Sequence, residues 1–193
     1  MASLAGLTPP SRTWLLAAAP VLLAGCATMT GCDDKVSAGN AKVKIAGQNY
    51  YLETALDNDK RFKGLSGRTS IESDGGMLFV FPDTRPTTMG GFVMRDCPID
   101  IDIIYVDKGG RVVTMYEMKP VTPARQPDEG APGPDAGKDT PGNRKYEARL
   151  KQYISRYPYD FVVELAGGSL KKLNLKEGDQ LDFDREGLKK QAK

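Results

Sequence analysis

The chain has 193 residues, with 27 Lys and Arg, 25 Asp and Glu and no histidine, so its formal charge at pH 7 is +2. The absence of histidine excludes the Ser-His-Asp and Cys-His catalytic arrangements and removes the commonest transition-metal ligand. A nearly balanced charge argues against nucleic-acid binding, which would require a concentrated basic face. The 21 Gly and 13 Pro favour short strands and turns over long helices.

The N-terminal segment has the features of a secretory signal. Arg12 is the only charged side chain in residues 1–25, and it precedes a short apolar run from Trp14 to Leu23. The run ends in Leu23-Ala24-Gly25-Cys26, which resembles the lipobox of bacterial lipoproteins. This resemblance implies cleavage before Cys26 and lipidation at that residue, where several acyl chains together give stable membrane anchoring. An ordinary cleaved signal with an incidental cysteine is the alternative.

We therefore expect an envelope lipoprotein that is anchored to a membrane and faces the periplasm. Ala27, rather than Asp, follows Cys26, which favours the outer over the inner membrane by the sorting habit of enterobacterial lipoproteins. Cys32 is a weaker second candidate for lipidation. Residues 26–41 are small and polar and are predicted to form a flexible tether. An oxidising envelope permits a disulfide between Cys32 and Cys97, but the spacing does not require one, and we expect free thiols.

Two elements are predicted at the start of the folded part. Val43 to Ile45 and Tyr51-Leu52 flank a Gly47-Gln48 turn, a pattern typical of a β-hairpin. One short helix follows, with Asp57 as its N-cap and Gly64 at its end.

The middle of the chain carries the clearest strand patterns. Met77 to Phe81 is a continuous apolar run ended by Pro82, which is typical of a strand buried on both faces. From Pro98 to Asp107 the odd-numbered and even-numbered side chains are predicted to point to opposite faces of a strand. Lys108-Gly109-Gly110 then turns the chain into the next strand, from Arg111 to Met118, so these elements predict a second hairpin.

The C-terminal third begins with a Pro-rich and Gly-rich insertion. Residues 120–142 hold six prolines and four glycines with almost no large apolar side chain, and they are predicted to form a mobile loop. Asn143 can cap a helix that Pro158 stops, and its apolar face would contain Tyr146, Leu150, Tyr153, Ile154 and Tyr157. Strands at 161–165 and 180–183 and a polar tail at 186–193 complete the prediction.

These elements predict a mainly β (α+β) fold. We expect a single domain over residues 42–185, built as a compact antiparallel or mixed β sheet, or as a small barrel-like domain, with one or two short helices.

Several motifs, in the correct order, resemble the domain of unknown function 192 family. They are Gly64-Leu65-Ser66-Gly67-Arg68, Gly76-Met77-Leu78-Phe79-Val80-Phe81, Phe92-Val93-Met94-Arg95-Asp96-Cys97, Ile101 to Asp107, Val163 to Gly168, and Glu177-Gly178-Asp179. The resemblance covers roughly residues 43–183. It implies a compact, mostly β fold in a family of small bacterial and archaeal domains that are often secreted or lipid-anchored, and it implies no reaction.

The chain departs from the family pattern mainly at its signature. Val93 stands where the family has Trp, Asp96 where it has Asn and Cys97 where it has Thr, and Ser66 replaces a Met. If the family's pocket needs the Trp or the Asn, the ligand of this chain differs.

Asp100 and Asp102 are the candidate catalytic residues. They lie two apart on one predicted strand, so their side chains share a face about 6.5–7 Å apart, and partial burial would make them an acid/base pair. The structural alternative, which we favour, is that Asp102 pairs with a buried Arg68 or caps the backbone amides of a turn.

The candidate binding residues are Arg68, Met94, Arg95, Asp96 and Asp102. Met94 and Cys97 are soft ligands of the kind that Cu(I) prefers. Because no histidine and no second nearby thiol accompany them, we expect no metal and no cofactor.

The sequence therefore favours a lipid-anchored envelope protein whose domain binds a small molecule or a protein partner, without nucleic acid. The first alternative is a hydrolase that acts on envelope carbohydrate, and it requires Asp100 and Asp102 to share an open cleft. The second alternative is a structural or assembly factor, which would present an exposed apolar patch.

Overall fold

The computed structural model describes residues 38–133 and 138–193. The predicted signal segment, the lipidation site Cys26, Cys32 and residues 26–37 of the predicted tether lie outside these residues. Within the two described ranges, no helix has both the length and the apolar character needed to span a bilayer.

A six-stranded mixed sheet forms the centre of the domain. Its strands in chain order are β1 (Asn40–Ile45), β2 (Gln48–Ala55), β3 (Met77–Arg85), β4 (Ile101–Val106), β5 (Val112–Met118) and β6 (Tyr159–Ala166). They are arranged β1-β2-β3-β6-β4-β5, and only the β2–β3 pair is parallel. The sheet is open in the described part of the chain, so the mixed sheet is confirmed and the barrel-like form is not found.

Four short helices accompany the sheet in the described residues, which is more than the one or two predicted. They are α1 (Asn58–Lys63), α2 (Pro141–Glu147), α3 (Ser169–Leu173) and α4 (Arg185–Gln191). The predicted caps of the first helix are confirmed, because the Asp57 side chain accepts a hydrogen bond from the Lys60 amide and Gly64 ends α1. The predicted polar tail is wrong, since α4 buries Leu188 in the core.

Both faces of the sheet are covered, which follows from the alternation of apolar side chains along its central strands. On β4, Ile104 and Val106 join a first core that includes residues of α3 and α4. Ile101, Ile103 and Tyr105 join a second core on the other face, beside the loop that follows α1. This two-sided burial explains the continuous apolar runs that the sequence shows in β3 and β6.

The predicted helix between Asn143 and Pro158 is mostly wrong. Helix α2 begins at Pro141 with Thr140 as its N-cap and ends at Glu147. Beyond it, the backbone of Tyr153 pairs with that of Phe92 through hydrogen bonds of 2.8 and 3.1 Å, so this segment lies extended along the domain. The hydroxyl of Tyr105 also donates to the Tyr153 carbonyl, and these tertiary contacts override the local helical periodicity.

Two other predicted strand ends differ in the structure. Strand β3 continues past Pro82 to Arg85, with a shift in its register against β6, because proline lacks the N–H that the ladder needs. The predicted strand at 180–183 forms only isolated bridges, from Gln180 to Arg111 and from Asp182 to Lys44.

The insertion at 120–142 is predicted from its composition to be a mobile loop. Its described part, residues 120–133 and 138–142, is held against the domain by charged side chains. The Arg125 guanidinium donates to both carboxylate oxygens of Asp96, at 2.8 and 2.9 Å, and to the Glu129 carbonyl at 2.6 Å. Glu129 in turn accepts two hydrogen bonds from Arg149. These contacts could not be predicted from the composition of the segment, because they depend on Asp96 and Arg149, which lie outside it.

The Arg125–Asp96 ion pair gives a test of this attachment. Its side chains are only 7% and 12% exposed, so Arg125→Met leaves a nearly buried carboxylate unpaired and should lower the free energy of unfolding by about 3 kcal/mol. Arg144→Met is the matched control, because its partnership with Asp139 is 60% and 81% exposed and contributes less than about 1 kcal/mol. Urea unfolding measures both, and equal small losses would contradict the role given to Arg125.

Candidate functional site

A cleft of about 310 Å³ opens beside the second core, between α1, the end of β3 and the loop that precedes β4. We call it the central cleft. Its cationic side chains are Arg61, Lys63, Arg85 and Arg95, its aromatic side chains are Phe62, Phe79, Phe81, Phe92 and Tyr159, and its remaining lining includes Met89, Val93, Cys97 and Glu164.

Helix α1 brings the first part of this lining into place. Its N-cap at Asp57 and its end at Gly64 fix a six-residue helix that carries Arg61 and Phe62 to the cleft. Gly64 adopts a φ of 49°, which disfavours most L side chains, and a Cβ there would lie 3.4 Å from the Phe79 ring. The glycine therefore allows the close approach of the helix end to the sheet.

Two of the arginines are held by other protein groups. Arg61 donates to the Val80 carbonyl at 2.8 Å and to the Asn58 side chain at 2.9 Å. Arg95 forms a bidentate pair with Glu147 of α2 and lies 4.5 Å from the centre of the Phe62 ring. These contacts orient both guanidinium groups at the cleft.

Arg85 differs from the other two arginines. Its guanidinium lies 5.3 Å from the centre of the Phe81 ring, and its buried Nε atom has no hydrogen-bond partner. In residues 38–133 and 138–193, no carboxylate forms an ion pair with it. Burial raises the pKa of the neighbouring Tyr159 phenol, and the positive charge of Arg85 opposes that rise. Arg85 thus contributes an uncompensated positive charge to the cleft.

Glu164 is the acid of the central cleft. It lies in the middle of β6, opposite Met77 of β3 and Ile103 of β4, and it is 5% exposed. Within the described part of the chain, no group donates a hydrogen bond to its carboxylate. Burial raises the pKa of Glu164 to about 8, so the carboxyl group is mostly neutral at pH 7.

Cys97 carries a free, buried thiol in the same cleft. Burial, and then the charge of Glu164, raises the pKa of this thiol to about 12. A thiol that holds its proton so strongly is a poor nucleophile and a poor metal ligand near neutral pH. Among the residues that the structure describes, no group of three or more Cys, Asp or Glu is arranged to hold a metal ion.

Asp102 accepts a hydrogen bond from the backbone and does not pair with Arg68. Its carboxylate accepts a 2.7 Å hydrogen bond from the Leu170 amide in the first turn of α3, and burial raises its pKa. Arg68 pairs with Glu53 at a different, exposed place. The predicted Arg68–Asp102 pair is therefore wrong, because Asp102 shares the sheet face of Ile104, whereas Arg68 follows α1 on the opposite face.

The candidate catalytic pair is not assembled at the central cleft. Asp100 is exposed and pairs with Lys119, and Asp102 is buried beneath α3. Neither aspartate lines the central cleft, so the geometry that the carbohydrate hydrolase requires is not present there.

The remaining predicted binding residues divide between two clefts. Arg95 lines the central cleft, and Cys97, considered above only as a soft metal ligand, lines both clefts. Met94 and Asp96 instead line a separate groove of about 480 Å³ formed with the insertion, where Asp96 meets Arg125. The backbone of Asp96 adopts a φ of 52°, in the left-handed region. This turn lies where the chain passes from the central cleft to the groove beside the insertion.

The sequence did not identify Arg61, Arg85 and Glu164 as site residues. Glu164 could have been identified, because it is the one charged residue within the apolar run from Phe161 to Leu165. A charge inside a strand that is buried on both faces indicates either a buried partner or a site.

The raised pKa of Glu164 predicts a pH-dependent stability. An acid whose pKa is about 8 in the folded state and 4.5 when unfolded binds its proton more tightly when folded, so the free energy of unfolding falls as pH rises from about 4.5 to about 8. Glu164→Gln does not titrate and should gain about 5 kcal/mol relative to wild type across that window. Urea unfolding at several pH values measures the gain. The control variant Glu72→Gln, at an exposed position, should show the same dependence of unfolding free energy on pH as the wild type. If Glu164→Gln also showed the wild-type dependence on pH, the raised pKa of Glu164 would be contradicted.

Two solved structures are similar to this chain. A solved structure from Sinorhizobium meliloti 1021, described as a "putative transcription regulator", has a TM-score of 0.55 and 25% identity over 77% of this chain and 96% of that chain. A protein of unknown function from Novosphingobium aromaticivorans DSM 12444 has a TM-score of 0.49 and 21% identity over 74% of this chain and 83% of that chain. The search of curated proteins finds no match.

The family comparison covers most of the chain. The model of domain of unknown function 192, described as an uncharacterized ACR, matches residues 41–183. That range contains all of the sheet except Asn40, the first residue of β1, and every residue of the central cleft named above. The chain belongs to the domain of unknown function 192 family.

Proposed function

We propose that the protein is a lipid-anchored envelope protein whose domain binds a small organic anion in the central cleft. The observation that carries the proposal is Arg85, whose Nε atom is buried without a hydrogen-bond partner and whose charge is not paired with a carboxylate in the described residues. A partly buried guanidinium in this state is stabilised by an anion that reaches it from the cleft.

The electrostatics of the cleft support an anionic ligand. Four cationic side chains line it, and Glu164, the one acid in its described lining, is mostly neutral at pH 7. Glu147 offsets the charge of Arg95, but Arg85 has no such offset. The aromatic side chains provide an apolar surface for the rest of the molecule, which is the usual composition of a small-molecule site.

An assembly factor and a DNA-binding regulator have less support from the structure. Two of the exposed large apolar side chains, Phe62 and Met89, lie at the central cleft, so they fit a ligand site as well as the patch of an assembly factor. The description of one structural relative as a transcription regulator is not carried over, since a formal charge of +2 does not favour DNA binding.

The anion site predicts ligand-dependent stabilisation that depends on Arg85. A millimolar panel of small carboxylates and phosphates should contain compounds that raise the melting temperature, because a ligand at 100 times its Kd stabilises the folded state by about 2.7 kcal/mol. Arg85→Gln should abolish these shifts. Arg68→Gln is the matched control, because Arg68 is paired with Glu53 outside the central cleft, and it should retain them. Shifts that survive in Arg85→Gln would contradict the site.

The proposed lipid anchor at Cys26 can be tested separately by cell fractionation. Cys26 ends the lipobox-like sequence, so Cys26→Ala should move the protein from the membrane fraction to the soluble fraction. Cys32→Ala, six residues further along, should leave it in the membrane fraction. Membrane partitioning that is unchanged in Cys26→Ala would refute lipidation at that residue.

A further inference from the structure

Glu164 and Arg85 face the same cleft. The buried Nε atom of Arg85 has no hydrogen-bond partner. The Glu164 carboxyl forms no hydrogen bond with the described residues and opens onto the cleft. Glu164 is 5% exposed, and its Oε2 atom lies 3.8 Å from the position that a Cβ on Gly64 would occupy. The carboxyl group is therefore buried between the end of α1 and the sheet, and it reaches the cleft lining.

The other acids on the central strands are also buried, but each of them has a partner within the protein. Asp102 accepts a hydrogen bond from the Leu170 amide. Asp160, four residues before Glu164 on β6, contacts both the Thr84 hydroxyl and the Lys189 ammonium. Buried polar groups in native proteins are normally satisfied in this way. The Glu164 carboxyl, which lines the cleft without a partner in the described part of the chain, is therefore available to a group outside the chain.

We propose that the ligand is a hydroxylated carboxylic acid of about the size of a hexuronic acid, with its carboxylate bound by Arg85 and a hydroxyl bound by Glu164. This inference rests on the proposed anion site and specifies what occupies it. A neutral carboxyl both donates and accepts a hydrogen bond, and a hydroxyl is the ligand group that can do the same in return.

Other ligand chemistries fit the cleft less well. A second carboxylate beside Glu164 would face a buried acid and be opposed by like charge when that acid ionises. A purely apolar acid would leave Glu164 unsatisfied. A volume of about 310 Å³ is at the lower end for small-molecule sites, which suits a monosaccharide-sized compound. The C–H groups of a sugar ring can pack against the aromatic lining, including the half-buried Phe92.

The test compares three ring compounds of similar size that carry the carboxylate and the hydroxyls together or separately. D-Glucuronate has both the carboxylate and the hydroxyls, cyclohexanecarboxylate lacks the hydroxyls, and D-glucose lacks the carboxylate. Binding of each to the full chain in detergent is measured by calorimetry at pH 7. We expect D-glucuronate to bind at least tenfold more tightly than either of the other probes.

Two variants assign this preference to Glu164. Glu164→Leu should weaken D-glucuronate at least tenfold without weakening cyclohexanecarboxylate, because the apolar side chain removes only the hydroxyl partner. Glu164→Gln keeps a donor and an acceptor and should retain the preference. Circular dichroism confirms that both variants are folded.

The outcomes separate this inference from the proposed function. Equal affinity for the two acids in the wild type, or a preference that survives in Glu164→Leu, overturns the hydroxyl contact and leaves the anion site standing. Binding of neither acid at millimolar concentration overturns the anion site and this inference with it.

Discussion

Strands β4 and β6 lie side by side in the middle of the sheet, and packed side chains cover both of their faces. Along β4, alternate residues such as Ile103 and Ile104 enter opposite cores. A polar side chain on these strands loses its contact with bulk water and needs a partner inside the protein. The partner of each acid on these two strands therefore depends on which group packs against the sheet at that position.

Three buried acids illustrate this constraint. Asp102 is directed to the first turn of α3, where a backbone amide satisfies it, and Asp160 is satisfied by a hydroxyl and by Lys189 of α4. These two acids attach helices to the sheet. The end of α1 lies against Glu164 but donates no hydrogen bond to its carboxyl group, which lines the central cleft instead. The same requirement that makes two acids structural leaves the third available to a ligand.

The parts of the fold that depend on local chemistry could be predicted from the sequence, and the parts that depend on distant partners could not. The caps of α1 at Asp57 and Gly64 follow from neighbouring residues, as do both hairpins. The helix predicted through Tyr153 failed because Phe92, about sixty positions earlier, pairs with its backbone. The site escaped prediction for the same reason: the sequence shows that Glu164 is charged, but only the packed structure shows that it lacks a partner.

The departures from the family signature fall on the walls of the clefts. Asp96, where the family has Asn, offers two carboxylate oxygens to Arg125, and an amide would offer only one acceptor. The aspartate at position 96 thus complements Arg125, which the insertion supplies. Val93 lines the central cleft at the position of the family's Trp, and the smaller side chain leaves more room for a ligand. The motifs of the sheet match the family, whereas Val93, Asp96 and Cys97 in the loop before β4 depart from it, so the departures alter the surfaces that a ligand would contact and not the sheet that supports them.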